Sequence, residues 1–210
     1  MVGIIGDYHL PEFISEFEYK KILNNHNNIE DILYNSDLGI LVKVFNFILK
    51  GTTTEVKTNI NILLSINDPY EILEQSTSKG KFIFNYYKKI NKEYEKLLNN
   101  AKKSISNDKV LLFVYPDNKL SLSSGLSCEL KYLFPDKLVI VARQKEDYMA
   151  VSLRSNDIIL PDLLKKCLDG LDGYGGGHDQ AVGASINRND FMKFINNIRE
   201  HVNKQERPLL

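Results

Sequence analysis

The chain has 210 residues, 43% of them hydrophobic and 26% charged, so one large domain or two small ones can bury a proper core. Its 27 Lys and Arg balance 27 Asp and Glu, which excludes a globally basic nucleic-acid binder and leaves any such contact to a local patch. No stretch approaches the ~20 apolar residues of a membrane span, and residues 1–6 lack the basic flank of a signal peptide, so a soluble cytoplasmic protein is expected.

Residues 1–6 form a short apolar run ending in Gly6-Asp7, which is expected to be the end of a buried strand. Phe13 and Phe17 mark a helix after Pro11. Two more helices follow at 29–33 and 38–49, the second capped by Ser36 or Asp37 and closed by Gly51. Thr52 and Glu55 stand at capping-box spacing before a helix running through Leu64 to Asn67, and Pro69 fits the first turn of a short one. Segment 78–104 is long and charged, with Phe82, Tyr86, Ile90, Tyr94 and Leu97 at helical spacing. It is expected to connect two domains, or to be a surface helix.

The pattern changes at Asn107. Residues 110–115 are β-rich, and Pro116-Asp117-Asn118 is a turn. A helix is expected at 122–133, closed by Pro135. Strands at 138–142 and 148–153 flank the polar turn 144–147, which predicts an antiparallel pair. A helix at 160–168, with Pro161 in its first turn, precedes a glycine-rich loop, a strand through Ile186 and a last helix capped by Asp190. Cys128 and Cys167 have no Cys-x-x-Cys or Cys-His spacing and are expected to be reduced, with Cys167 in the core. The order β-α-β-β-α-β-α predicts a mixed sheet with helices packed on it. The expected fold is therefore α/β: a mostly helical N-terminal half, a long connecting helix and a C-terminal mixed-sheet domain.

The most specific segment is 174–187, Tyr-Gly-Gly-Gly-His-Asp-Gln-Ala-Val-Gly-Ala-Ser-Ile-Asn. Gly175, Gly176 and Gly177 free the backbone to take positive φ and to approach a bound group closely. Successive N–H groups in such a turn can cup an anion, and His178 can add a directed hydrogen bond or a positive charge. The alternative is a tight loop with His178 in water. Arg154, between Ser152 and Ser155, ends a strand; its guanidinium can grip phosphate bidentately, or it is an ordinary solvated arginine. A dinucleotide fingerprint is excluded, because the glycines follow a helix and precede a strand.

The run 175–186, with the Leu-Arg-Ser ending at Ser155 and the helix-to-strand passage over 120–143, resembles the DHH-associated domain of DHH-family phosphoesterases. The three-glycine form is most similar to the archaeal RecJ-like branch, which includes single-strand nucleases that associate with GINS. The resemblance implies that Arg154, Ser155, Gly175, Gly176, Gly177 and His178 hold the sugar-phosphate backbone of single-stranded DNA or RNA. Gly3-Ile4-Ile5-Gly6-Asp7 is similar to the last motif of the DHH domain, which implies a metal-binding role for Asp7; a turn-forming aspartate is the alternative. In the complete family site Mn2+ or Mg2+ activates water for phosphodiester hydrolysis. The chain contains no Asp-His-His and no Asp-x-Asp, so it is expected to be inactive alone.

The domains expected are a helical remnant of a DHH catalytic domain at 1–77, a connecting helix at 78–106 and a DHH-associated substrate-binding domain at 107–210. Partners implied are single-stranded nucleic acid and a separate DHH catalytic half or a GINS-like replication partner, with no membrane. The alternative is a non-catalytic interaction or regulatory subunit of a replication or repair complex.

Overall fold

The computed structural model describes residues 1–17, 19–117 and 120–204. Asn118 of the expected turn lies outside them. The chain divides into two compact units, Met1–Glu93 and Tyr94–Leu210.

Among the described residues the first unit is all helical. It begins with α1 (Val2–Gly6), where a strand was expected. Five apolar residues carry no period that separates strand from helix, and here Ile5 N–H reaches back to the Met1 carbonyl at 3.1 Å. After Pro11 come two 3-10 segments, Glu12–Glu16 and Lys20–Leu23, in place of the expected α-helix. Then follow α2 (Ile29–Asn35), α3 (Asp37–Ile48), α4 (Thr53–Leu63) and α5 (Pro69–Leu73). Helix α3 is the centre, burying Leu38, Leu41, Val42, Val44, Phe47 and Ile48. Of the two caps proposed for it, Ser36 takes the role, its hydroxyl accepting from Gly39 N–H at 3.1 Å. The expected box at the start of α4 is complete, with the Thr52 hydroxyl and the Glu55 carboxylate exchanging backbone bonds.

Helix α6 (Ser78–Lys103) matches the long predicted segment. Its buried stripe is Ile83, Tyr87, Ile90, Tyr94, Leu98 and Ala101, so Phe82, Tyr86 and Leu97 sit one position off the face expected for them. Both sets keep a helical period. The difference is a rotation of about 100° for those residues, which composition alone does not decide.

The second unit carries a five-stranded sheet in the order β1-β2-β3-β5-β4. Its strands are β1 (Val110–Pro116), β2 (Leu138–Gln144), β3 (Tyr148–Arg154), β4 (Gly173–His178) and β5 (Ala181–Asn187). Strands β1 and β2 are parallel, joined through α7 (Ser123–Leu133); every other pairing is antiparallel, including the predicted β2–β3 hairpin. One face packs on α8 (Leu160–Leu168) and α9 (Phe191–Lys204), through Ile140, Val151, Leu153, Val182, Ile186, Leu164, Phe194 and Ile198. The other carries α7 over β2 and β3. The order is thus β-α-β-β-α-β-β-α, one strand more than expected, because the glycine-rich segment is itself a strand. Asp190 does not spend its carboxylate as expected: it accepts the Asp172 N–H at 2.9 Å and ties the entry of β4 to the start of α9.

Candidate nucleic-acid interface

Strand β4 lies at the sheet edge, and its three glycines have different surroundings. A Cβ on Gly175 would stand 2.5 Å from the Gly183 carbonyl oxygen, and one on Gly177 2.3 Å from that of Ala181. Gly177 also has φ +152°, whereas Gly175 and Gly176 are not among the residues with positive φ. The expected turn of three left-handed glycines is therefore a strand that only glycine lets approach β5 so closely. A Cβ on Gly176 would meet nothing within 4 Å.

Register decides which side chains share a face. Arg154 on β3 pairs with Ala181 on β5, which pairs with His178 on β4. Directly paired residues project to one side of a sheet, so Arg154 and His178 stand on the same face, about 10 Å apart across two strand spacings. The next same-side row is Ser152, Gly183 and Gly176, and the one after is Ala150, Ser185 and Tyr174. Helix α7 packs on this face chiefly over β2 and β3. Beyond it lies an open floor with two glycines at its centre, both exposed.

Arg154 is held before any ligand arrives. Its Nε donates to Cys128 Sγ at 3.3 Å and its Nη2 to Ser124 Oγ at 3.1 Å, both on α7. Its Nη1 donates to the Leu153 carbonyl at 2.8 Å and the Val182 carbonyl at 3.4 Å. All four partners are neutral, so among the described residues no carboxylate offsets the guanidinium. Helix α7 starts on Leu122, which supplies no side-chain cap, so the positive end of the helix dipole lies beside Ser124. Sequence reasoning missed Ser124 and Cys128; their spacing of four places both on one helix face, but only the fold brings that face to Arg154.

The remaining expected site residues lie elsewhere. Ser155 is 3% exposed, and its hydroxyl accepts the N–H groups of Asp157 and Ile158 at 3.3 and 3.2 Å. It fixes the loop behind the site and is not brought to the row. Asp7 is the exposed C-cap of α1, in the first unit, and does not end a strand. Among the described residues no group of three or more His, Cys, Asp and Glu could hold a metal ion, so Asp7 lacks the companions a metal centre needs. Cys167 is fully buried as expected, and burial pushes its thiol up to about 11. Among the described residues no helix is long and apolar enough to cross a membrane.

Residues 107–204 match the family model of the DHHA1 domain. The solved structures that resemble the chain include RecJ in complex with Mn2+ from Thermus thermophilus, at TM-score 0.64 and 14% identity, covering 97% of this chain and 32% of that one. Another is exonuclease RecJ bound to manganese, at TM-score 0.51 and 11% identity, covering 99% of this chain and 48% of that one. A third is a pGpG-specific phosphodiesterase from Vibrio cholerae, at TM-score 0.51 and 11% identity, covering 92% of this chain and 63% of that one. The chain thus spans about a third of the length of the Thermus protein. No curated protein matches its sequence. The match to the DHHA1 model over residues 107–204 and the likeness to these structures together show a fold like that of RecJ.

Proposed function

We propose that this chain is the substrate-gripping portion of a RecJ-like phosphoesterase, and that its DHHA1 domain holds a backbone phosphate of single-stranded DNA or RNA between Arg154 and His178. One observation carries the reading. A fixed guanidinium with only neutral partners shares an open sheet face with an exposed imidazole, over a floor of Gly176 and Gly183. A guanidinium is a strong, geometrically specific phosphate donor, and the glycine floor lets a sugar-phosphate chain lie close to the sheet. Gly175 and Gly177 act one step behind, by letting β4 pair with β5, and Ser155 by fixing the loop after β3.

The named relatives include RecJ proteins solved with Mn2+ and with Mg2+, and such an ion supplies hydrolytic activation of water when bound. The acidic set among the described residues does not fit that role, since Asp7 belongs to no group of three or more possible ligands. Hydrolysis would then draw on carboxylates outside these 210 residues, in a longer gene product or on a separate DHH catalytic half, with these residues supplying the grip. A GINS-like replication partner is a further assembly consistent with this reading, and a cytoplasmic location goes with either.

The test is a fluorescence-anisotropy titration of short single-stranded oligonucleotides at two salt concentrations. Arg154→Ala and His178→Ala are each expected to weaken binding by about 1 to 3 kcal/mol, and added salt to weaken the wild type. Equal binding by wild type and both variants would overturn the assignment.

A further inference from the structure

The open face also carries an aromatic ring that no other side chain engages. Tyr174 is 76% exposed, and among the described residues no ring packs on it and no group bonds its hydroxyl. A tyrosine in a sheet ordinarily gains from a cross-strand neighbour, but the residue opposite is Ser185, too small to cover the ring. Tyr174 stands four residues before His178 on the same strand, and the only residue between them on that face is Gly176. At about 3.4 Å per residue the two lie about 14 Å apart, with an unobstructed glycine floor between them.

We infer that Tyr174 is a stacking platform for a base of the bound single strand, so that the site engages at least two consecutive nucleotides. The inference rests on the phosphate reading of Arg154 and His178. A nucleotide whose phosphate sits at the His178 end does not carry its own base across about 14 Å to Tyr174, whereas the next nucleotide along an extended strand does. Stacking also suits a chain whose formal net charge is zero, because the π-face of a base supplies affinity that long-range charge does not. It discriminates little among bases, which fits a ring flanked by glycine and serine instead of a donor-lined pocket.

The experiment uses the full chain with a 5′-mononucleotide and with hexanucleotides carrying 2-aminopurine at each position in turn. The chain has no Trp, so the probe can be excited free of tryptophan background. Binding of wild type is expected to quench the probe at one internal position. Tyr174→Ala is expected to abolish that quenching and to weaken the hexanucleotide about 5- to 100-fold, the range for losing one stacked base. Mononucleotide binding is expected to stay unchanged, and Tyr174→Phe to restore both signals, since it keeps the ring. Wild type that binds without quenching, a Tyr174→Ala variant that binds like wild type, or a Phe variant as weak as Ala would each overturn the platform. If Arg154→Ala and His178→Ala still weaken the hexanucleotide, the phosphate reading survives that failure. If they do not, it falls with it.

Discussion

The glycine trio separates folding from binding one residue at a time. Gly176→Val puts a side chain where a Cβ meets nothing, so its stability is expected to stay within about 0.5 kcal/mol of wild type while oligonucleotide binding is lost. Gly177→Ala forces a Cβ against the Ala181 carbonyl at an unfavourable φ, and a loss of about 1 to 3 kcal/mol is expected. Urea denaturation of both variants beside the anisotropy titration checks the contrast; equal stability would mean that β4 adjusts freely. The two cysteines differ in the same residue-by-residue way. Burial raises the Cys167 thiol from 9.0 to about 11, so the folded chain keeps a proton that the unfolded chain gives up. The contribution is intact below about 9 and is lost as pH climbs towards 11, so stability falls across that window. Melting temperatures across the window are expected to fall less steeply for Cys167→Ala than for wild type; parallel slopes would assign the loss to other groups.

At the scale of elements, local chemistry was legible wherever a cap or a turn residue does a fixed job. Thr52 and Glu55 close their box, Pro161 enters the first turn of α8, and the polar turn 144–147 joins β2 to β3. Thr52→Ala is accordingly expected to cost about 0.5 to 2 kcal/mol in a urea melt. What failed to show was what depends on a neighbour distant in sequence. Strand β4 is hidden because glycine is the residue least expected in a strand, and only the fit against β5 makes it one. The same applies to Gly39, which interrupts an apolar helix in the sequence. A Cβ there would lie 2.2 Å from the Leu33 carbonyl and 2.5 Å from that of Ile32, where α2 meets α3. Helix propensity alone predicts that Gly39→Ala stabilises by about 1 kcal/mol. The crossing reverses the sign, and a loss of about 1 to 3 kcal/mol is expected. A rise in the urea midpoint would show that propensity outweighs the contact.

For the whole molecule, the candidate grip was legible in its pair of residues, expected to hold one sugar-phosphate backbone together, and not in the strands that bring them together. Arg154 and His178 stood out from the sequence as strand-end arginine and post-glycine histidine. Their shared face is a property of three-strand register, whereas Ser155 falls just past the end of β3 and is buried holding the loop that follows. Asp7 could be read only through resemblance, and among the described residues it belongs to no group of three or more possible metal ligands. A two-metal hydrolysis needs several oxygen ligands around each ion, so a chain whose described residues gather no such group is expected to hold a strand without cutting it. Incubation of the purified 210-residue chain with a labelled single-stranded oligonucleotide and Mn2+ or Mg2+ is accordingly expected to release no nucleotides above buffer, while anisotropy reports binding in the same tubes. Metal-dependent release abolished by Asp7→Ala would mean that the chain assembles a centre of its own, for instance from two copies sharing ligands. Release that survives Asp7→Ala would point to a contaminating nuclease, which an Arg154→Ala preparation with equal release would identify.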